Sequence, residues 1–231
     1  MTDDERNRLL NDYADLRVCD VRDGLDALGY HFYGSMGPDI RPLYRTRAFG
    51  IAKTVRYLPY RGGMIYSSPR QYRDEFTPYY YNSVCSYPWT KELRDGDFAV
   101  IDQSGTCVGL MGSENTLACR NSGMRGLVTN GGIRDTDEII LQKIPCWSAM
   151  IAQPMVQGRL AFDAMDVPVA VGGVQVRSGD MIVADGDGIV VVPLEIARQV
   201  AQFAHEEHES DKKNRRKHYE EAGLALDETV M

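Results

Sequence analysis

Residues 126–139 read GLVTNGGIRDTDEI. An apolar run of strand type, Gly126-Leu127-Val128-Thr129, passes into Asn-Gly-Gly, then an arginine and three carboxylates. The next residues, TDEIILQK (136–143), have helical spacing with Thr136 placed to cap them. A strand running straight into a helix points to layered helices and sheets. The two glycines suggest a sharp turn at the strand end, and the junction carries more charge than a turn needs.

Reading outward, the same alternation continues on both sides. ENTLACRNSG (114–123) suits a helix ended by Gly123, and DFAVID (97–102) is a short strand behind the turn pair Asp95-Gly96. AFGIAKTVRYL (48–58) alternates as a strand. Residues 3–28 carry a helical stripe of Leu9, Leu10, Tyr13, Leu16, Val21, Leu25 and Leu28, with a break expected near Cys19 and an end at Gly29. Downstream, PCWSAMIA, VAVGGVQV (169–176) and GDMIVADGDGIVVV (179–192) read as strands with glycine-rich hairpin turns. From Leu194 to about 222 a charged helix is expected. The segment between, about 59–93, breaks the pattern: it is rich in tyrosine and shows little periodicity. A loop of that length in a compact domain is functional, forms an interface, or covers a subunit contact.

With 231 residues, 43% of them hydrophobic, the chain can bury a proper core, and no linker composition divides it, so one domain spanning 1–231 is expected. The formal charge of −7 argues against non-specific nucleic acid binding, which depends on concentrated Lys and Arg. A small metabolite is the better partner. Five scattered cysteines without a CxxC pair, behind the acidic start MTDDERNRLL, suggest a reduced, cytoplasmic protein. No apolar run approaches the roughly 20 residues that cross a bilayer, so no membrane partner is expected.

Two stretches carry candidate chemistry. LMGSEN (110–115) leads into a helix, so backbone N–H groups at Gly112, Ser113, Glu114 and Asn115 can face an anion such as a carboxylate. By itself the motif is a weak signal and reads first as a plain helix start capped by Ser113. Arg134 can clamp a carboxylate bidentately, and Asp135 is a hard oxygen ligand for Mg²⁺ or Mn²⁺. The plainer alternative makes Asp135 or Asp137 a helix cap and Arg134 a surface ion pair. An ion held by one carboxylate and several waters can chelate a 2-oxo acid and stabilise the enolate left when the adjacent C–C bond breaks. HEEHE (205–209) resembles a zinc-protease helix, but its histidines stand three apart where HExxH needs four. A solvated helix face is the simpler reading. His31 has no evident acid partner, and ADGDGIVVV (184–192) lacks the GK[ST] of a phosphate loop.

The run GLMGSENTLACRNSGMRGLVTNGGIRDTDEI resembles the core of the RraA-like family, which includes 4-hydroxy-4-methyl-2-oxoglutarate aldolases that also decarboxylate oxaloacetate. DVRDGLDALGY with IRPLYRTRAFGIAKTVRYLP, ELRDGDFAVIDQSG and VPVAVGGVQVRSGDMIVADGDGIVVVP resemble further family stretches in the same order. The likeness covers most of the chain except the tyrosine-rich insert. It implies a β/β/α swivelling-type layered α/β sandwich with N- and C-terminal helices, assembled as trimers or hexamers with sites at subunit interfaces. Residue by residue, it implies that the amides of Gly112, Ser113, Glu114 and Asn115 bind the substrate carboxylate, that Arg134 contacts substrate and that Asp135 anchors the divalent metal, Mg²⁺ or Mn²⁺. A carboxylate from a neighbouring subunit's C-terminal helix reaches that metal through water in the aldolases, and Glu209, Glu206 and Asp211 are the candidates here, Glu209 taken first. Glu114, one place past Ser113 where the aldolases carry an acid, is the candidate for ordering metal-bound water in proton transfer. Asn130 stands where many members have Asp. The implied function is a metal-dependent lyase acting on a 2-oxo acid to release pyruvate or a relative. The alternative is a non-catalytic protein that binds and inhibits a ribonuclease.

Overall fold

The computed structural model describes all 231 residues. Helices α1 (Asp3–Asp12) and α2 (Val18–Ala27) open the chain. Thr2 and Glu5 exchange side-chain and backbone bonds to start α1, and the Asp20 carboxylate accepts the Arg17 N–H to start α2. The break therefore falls at 13–17 rather than at Cys19, which lies inside α2. Gly29, at φ +84°, ends α2 as its spacing predicts.

Next come β1 (Arg41–Pro42), β2 (Ala48–Pro59) and the tyrosine-rich segment, which is largely helical: α3 (Pro69–Gln71), a π-helical turn at Tyr72–Phe76, α4 (Thr77–Ser83) and a 3₁₀ turn at Pro88–Glu92. β3 (Asp97–Asp102), β4 (Gly109–Met111), α5 (Ser113–Asn121), β5 (Met124–Ile133), α6 (Thr136–Leu141) and β6 (Cys146–Ile151) follow. The chain then forms β7 (Leu160–Met165), β8 (Val169–Val171), β9 (Val174–Val176), β10 (Met181–Ala184), β11 (Ile189–Val192) and the long α7 (Ala197–Ala222).

The main sheet has the order β1-β6-β5-β3-β2-β10-β11, with β4 beside β5 and β7 beside β2, while β8 and β9 pair as a separate hairpin. β2, β3, β5 and β6 run parallel. Parallel neighbours cannot be joined by a tight turn and need a crossover of a dozen residues or more. The tyrosine-rich segment is that crossover between β2 and β3, which gives it a topological reason to exist. The β4–α5 unit and α6 are the next two.

Alternation along β2 sorts the core. Val55 and Tyr57 face a cluster shared with Tyr80 and Trp89 of the first crossover, Cys119 of α5 and Ile139 of α6. Ile51 on the same face packs with Leu9, Val21, Leu25, Val200 and Ala204 of α1, α2 and α7. Ala48 and Ala52 turn the other way, toward the β8–β9 hairpin. One face of the sheet thus carries two helical groups side by side, and the hairpin covers the other. This mixed α/β architecture, with a curled sheet and terminal helices, matches the expected class. No helix is long and apolar enough to cross a membrane.

β5 corrects one expectation. It does not stop at Asn130 but runs through Gly131 and Gly132 to Ile133, with an irregularity in its pairing to β6 between Thr129 and Gly132. Neither glycine is at positive φ. They serve close approach instead: a Cβ on Gly131 would stand 2.6 Å from Gln103 Cβ, and one on Gly132 2.5 Å from Ala152 Cβ.

Candidate active site

The chain reverses direction one step later, at Asp135. This residue caps α6 with φ 53° and ψ 42°, the left-handed region that non-glycine residues seldom occupy, so the cap is Asp135 and Thr136 is the first helical residue. Its side chain makes no bond to α6. The left-handed turn swings the carboxylate back beside its neighbour, and Arg134 Nε donates to Asp135 Oδ1 at 3.2 Å. Two adjacent residues that would otherwise diverge now share one rim. Their side chains are 32% and 37% exposed.

The second wall is the β4–α5 junction. Arg134 N–H donates to Met111 O at 3.0 Å, which locks the ends of β4 and β5 together. Gly109 lies under the Arg134 side chain, where a Cβ would meet Arg134 Cβ at 2.7 Å. Gly112, at the start of α5, leaves room for the carboxylate: a Cβ there would come within 2.5 Å of Asp135 Oδ2. Ser113 N–H donates to that oxygen at 3.3 Å. Gly112 N–H is given to Asn115 Oδ1 at 2.6 Å, and Asn115 Nδ2 donates to Leu110 O at 3.1 Å. Gly112 and the Asn115 side chain therefore shape the loop. The Glu114 and Asn115 backbone amides donate to no group of the chain and stand where helix-start N–H groups attract an anion.

Arg134, Asp135, Gly112, Glu114 and Asn115 line one cleft of ≈ 710 Å³. The side of the cleft that the sequence did not reveal is the β2–β3 crossover, which contributes Tyr81, Tyr87, Thr90 and Lys91, with Met155 beyond. The one available signal was the density of tyrosine between 59 and 93. Part of that density is structural: Tyr80 donates to Leu160 O at 2.8 Å and Tyr87 to Leu110 O at 2.9 Å, while Tyr57 of β2 donates to Ser86 O at 2.8 Å and accepts from Trp89 Nε1 at 3.0 Å. These bonds staple the crossover to the sheet and to β4. Cys119 also borders the cleft, but burial pushes its thiol up to about 12, so it stays protonated and is no nucleophile.

A hydrated hard cation fits Asp135. Each carboxylate oxygen has a single long contact, leaving lone pairs free, and Mg²⁺ is commonly held by one or two carboxylates with waters and substrate oxygens. A zinc site would need three or four protein ligands, and no group of three His, Cys, Asp or Glu side chains converges anywhere in the chain. Glu209 is exposed on α7, which packs on α2 over the other helical group, so the chain does not itself bring Glu209 to Asp135. HEEHE is absorbed by packing: His205 Nε2 meets Asp12 O at 2.9 Å, and His208 Nδ1 meets Asp20 Oδ2 at 2.9 Å. Asn130 is also structural, accepting from Gln103 N–H and donating to Asp102 and to Ala170 O.

The RraA-like family model (Aldolase/RraA) matches residues 18–191. A Halalkalibacterium halodurans protein, provisionally named a 4-hydroxy-4-methyl-2-oxoglutarate aldolase, is 32% identical over 128 residues, 54% of this chain and 60% of that protein. An Arabidopsis thaliana protein with the same provisional name is 31% identical over 109 residues, 46% and 64% of the two chains. The match thus spans about three fifths of the curated relatives' length. Among solved structures, an uncharacterised Pseudomonas syringae protein superposes with TM-score 0.73 at 25% identity over 97% of this chain and 98% of its own. Streptomyces coelicolor RraAS2, described as an unusual member of the RNase ES inhibitor RraA family, gives 0.72 at 25% identity over 90% and 96%. Fold, ordered motifs and matched span agree: the chain belongs to the RraA-like family.

Proposed function

We propose that the protein is a divalent-metal-dependent lyase, an aldolase or decarboxylase that breaks the C–C bond beside a 2-oxo acid and releases pyruvate or a related oxo acid. The observation that carries this reading is the convergence of Arg134, Asp135 and the unpaired amides of Glu114 and Asn115 on one cleft, with Asp135 held in a strained backbone conformation to get there. The names of the aldolase relatives support it. Arg134 and the helix-start amides grip the acid's carboxylate. The Asp135 carboxylate holds Mg²⁺ or Mn²⁺, and when bound the ion supplies a Lewis acid for the charge developing on the 2-oxo oxygen. Glu114, exposed in the cleft, takes the proton from the substrate's 4-hydroxyl and returns it to C3 after the C3–C4 bond has broken. Self-association into a trimer or hexamer would let Glu209 of another copy approach the ion through water.

The test is pyruvate release from oxaloacetate and from 4-hydroxy-2-oxo acids, with Mg²⁺ or Mn²⁺ and then with EDTA. Release that depends on metal and is lost in Asp135→Ala supports the reading; no release from any such acid overturns it. A second reading, binding to a ribonuclease, is favoured by the likeness to Streptomyces coelicolor RraAS2. Co-purification with the nuclease and inhibition of RNA cleavage that persists in Asp135→Ala would favour it.

A further inference from the structure

We propose that Tyr81 and Tyr87 form a stacking shelf that selects 2-oxo acids whose departing part carries a planar ring. The proposal rests on the lyase reading and names the substrate class of the same cleft. Both rings line the cleft, with centroids 6.3 Å apart and planes tilted by 36°. Tyr87 is held rigid, since its hydroxyl donates to Leu110 O and its ring packs 6.0 Å from Tyr57, which Trp89 holds in turn. Tyr81 is half-buried, beside both Arg134 and the Gln157 amide. Its phenol is pushed up by burial, with Gln157 and the Arg134 charge acting against the shift, so the ring stays neutral.

Size points the same way. The cleft of ≈ 710 Å³ falls in the range of roughly 300–1,000 Å³ typical of drug-sized ligands, far beyond what a three- or four-carbon acid fills. Arg134 and the helix-start amides share the cleft with the two rings. Ala118 and Met155 line the cleft with the two rings, and Lys91 is its one cation besides Arg134. Offset stacking on such a pair rewards a planar group and does nothing for a methyl. The matched step is balanced without a co-reactant. In 4-hydroxy-2-oxo-4-phenylbutanoate the C3–C4 bond breaks, its electron pair stays on C3, and the hydroxyl proton ends on C3. Benzaldehyde and pyruvate are the products.

The experiment compares kcat/KM for that acid with 4-hydroxy-2-oxopentanoate, in which methyl replaces phenyl, using the full chain with Mg²⁺ or Mn²⁺. The expected result is a preference of about tenfold for phenyl that Tyr81→Ala removes, mainly through KM, and that Tyr81→Phe keeps. Equal turnover of the two acids, or a preference unchanged in Tyr81→Ala, would overturn the shelf. Calorimetric binding of 2,4-dioxo-4-phenylbutanoate against 2,4-dioxopentanoate separates the two claims. A phenyl preference without pyruvate release from any acid would retain the shelf and sink the lyase reading. Equal binding would sink the shelf even if the lyase reading stands.

Discussion

Two arginine–aspartate pairs sit on the two neighbouring helical groups of this protein. In the first, Asp20 of α2 is 2% exposed and accepts from the Arg17 backbone N–H, from the Arg17 guanidinium and from His208 of α7. In the second, Asp135 is 37% exposed, sits in a left-handed backbone conformation and has one contact of 3.2 or 3.3 Å on each oxygen. The same residue types do different things. Asp20 is saturated and starts a helix while tying α2 to α7. Asp135 is undersatisfied, costs backbone strain of order 1 kcal/mol or more and faces a cleft. Asp166, at φ 56°, shares the left-handed backbone but is held by Lys53 and Ser178, so what sets Asp135 apart is that conformation together with its free oxygens and the cleft.

The comparison breaks most visibly at Asp135. Asp135→Asn keeps the left-handed turn, which asparagine tolerates, but removes the charge. It should lower kcat/KM by about 10³-fold, the several kcal/mol a metal supplies, while the melting temperature stays within about 1 °C. Steady-state assays beside a thermal melt would show it, and retained metal-dependent activity would remove Asp135 from the mechanism. Gly112→Ala is next. Its new methyl meets Asp135 Oδ2 at 2.5 Å, and displacing the carboxylate by about 1 Å should cost roughly 10²-fold in rate with the fold intact by circular dichroism.

Asp20→Ala should behave in the opposite way. Loss of charge-assisted bonds from Arg17 and His208 should destabilise the chain by about 1.5–3 kcal/mol in urea unfolding, with turnover per folded molecule unchanged. A stable variant would mean that this pair holds nothing together.

The smallest effect is on pH. Burial alone would raise the Asp20 carboxyl, but the bonds from Arg17 and His208 outweigh it and hold the carboxyl below its usual range. Depressed in the folded state, it contributes stability that is full above the ordinary value of 3.8 and fades as pH falls through the folded-state value. Asp166 behaves alike beside Lys53 and Ser178. Unfolding midpoints measured between pH 3 and 6 should fall at the acid end in the parent chain and fall less in Asp20→Asn.

Much of the α/β order was legible, because apolar alternation, a capping pair and glycine at helix ends are local signals. Arg134 and Asp135 were legible as candidates because carboxylate clamping and cation binding need those residue types, and the structure places both on one cleft. The position of the turn was not. Two glycines read as a bend, yet they are flat in β5 to admit Gln103 and Ala152, and the bend falls on an aspartate. The third wall of the cleft was hidden for a similar reason. Nothing local in 59–93 says that β2 and β3 are parallel, so nothing local says that the segment must cross over and lie beside α5.

By itself the sequence determined the layered class and the failure of HEEHE as a zinc helix, and it nominated Arg134 and Asp135 for an acid and a cation, since residue type and spacing along one chain decide each of these. Tertiary structure alone decided which of the free charges is satisfied, which tyrosines anchor the core and which line the cleft. Those outcomes depend on strand order and on approaches of a few ångströms between residues far apart in the chain. The Arg134–Asp135 pair came to face a cleft only when β4 met the end of β5 and the crossover supplied the opposite wall.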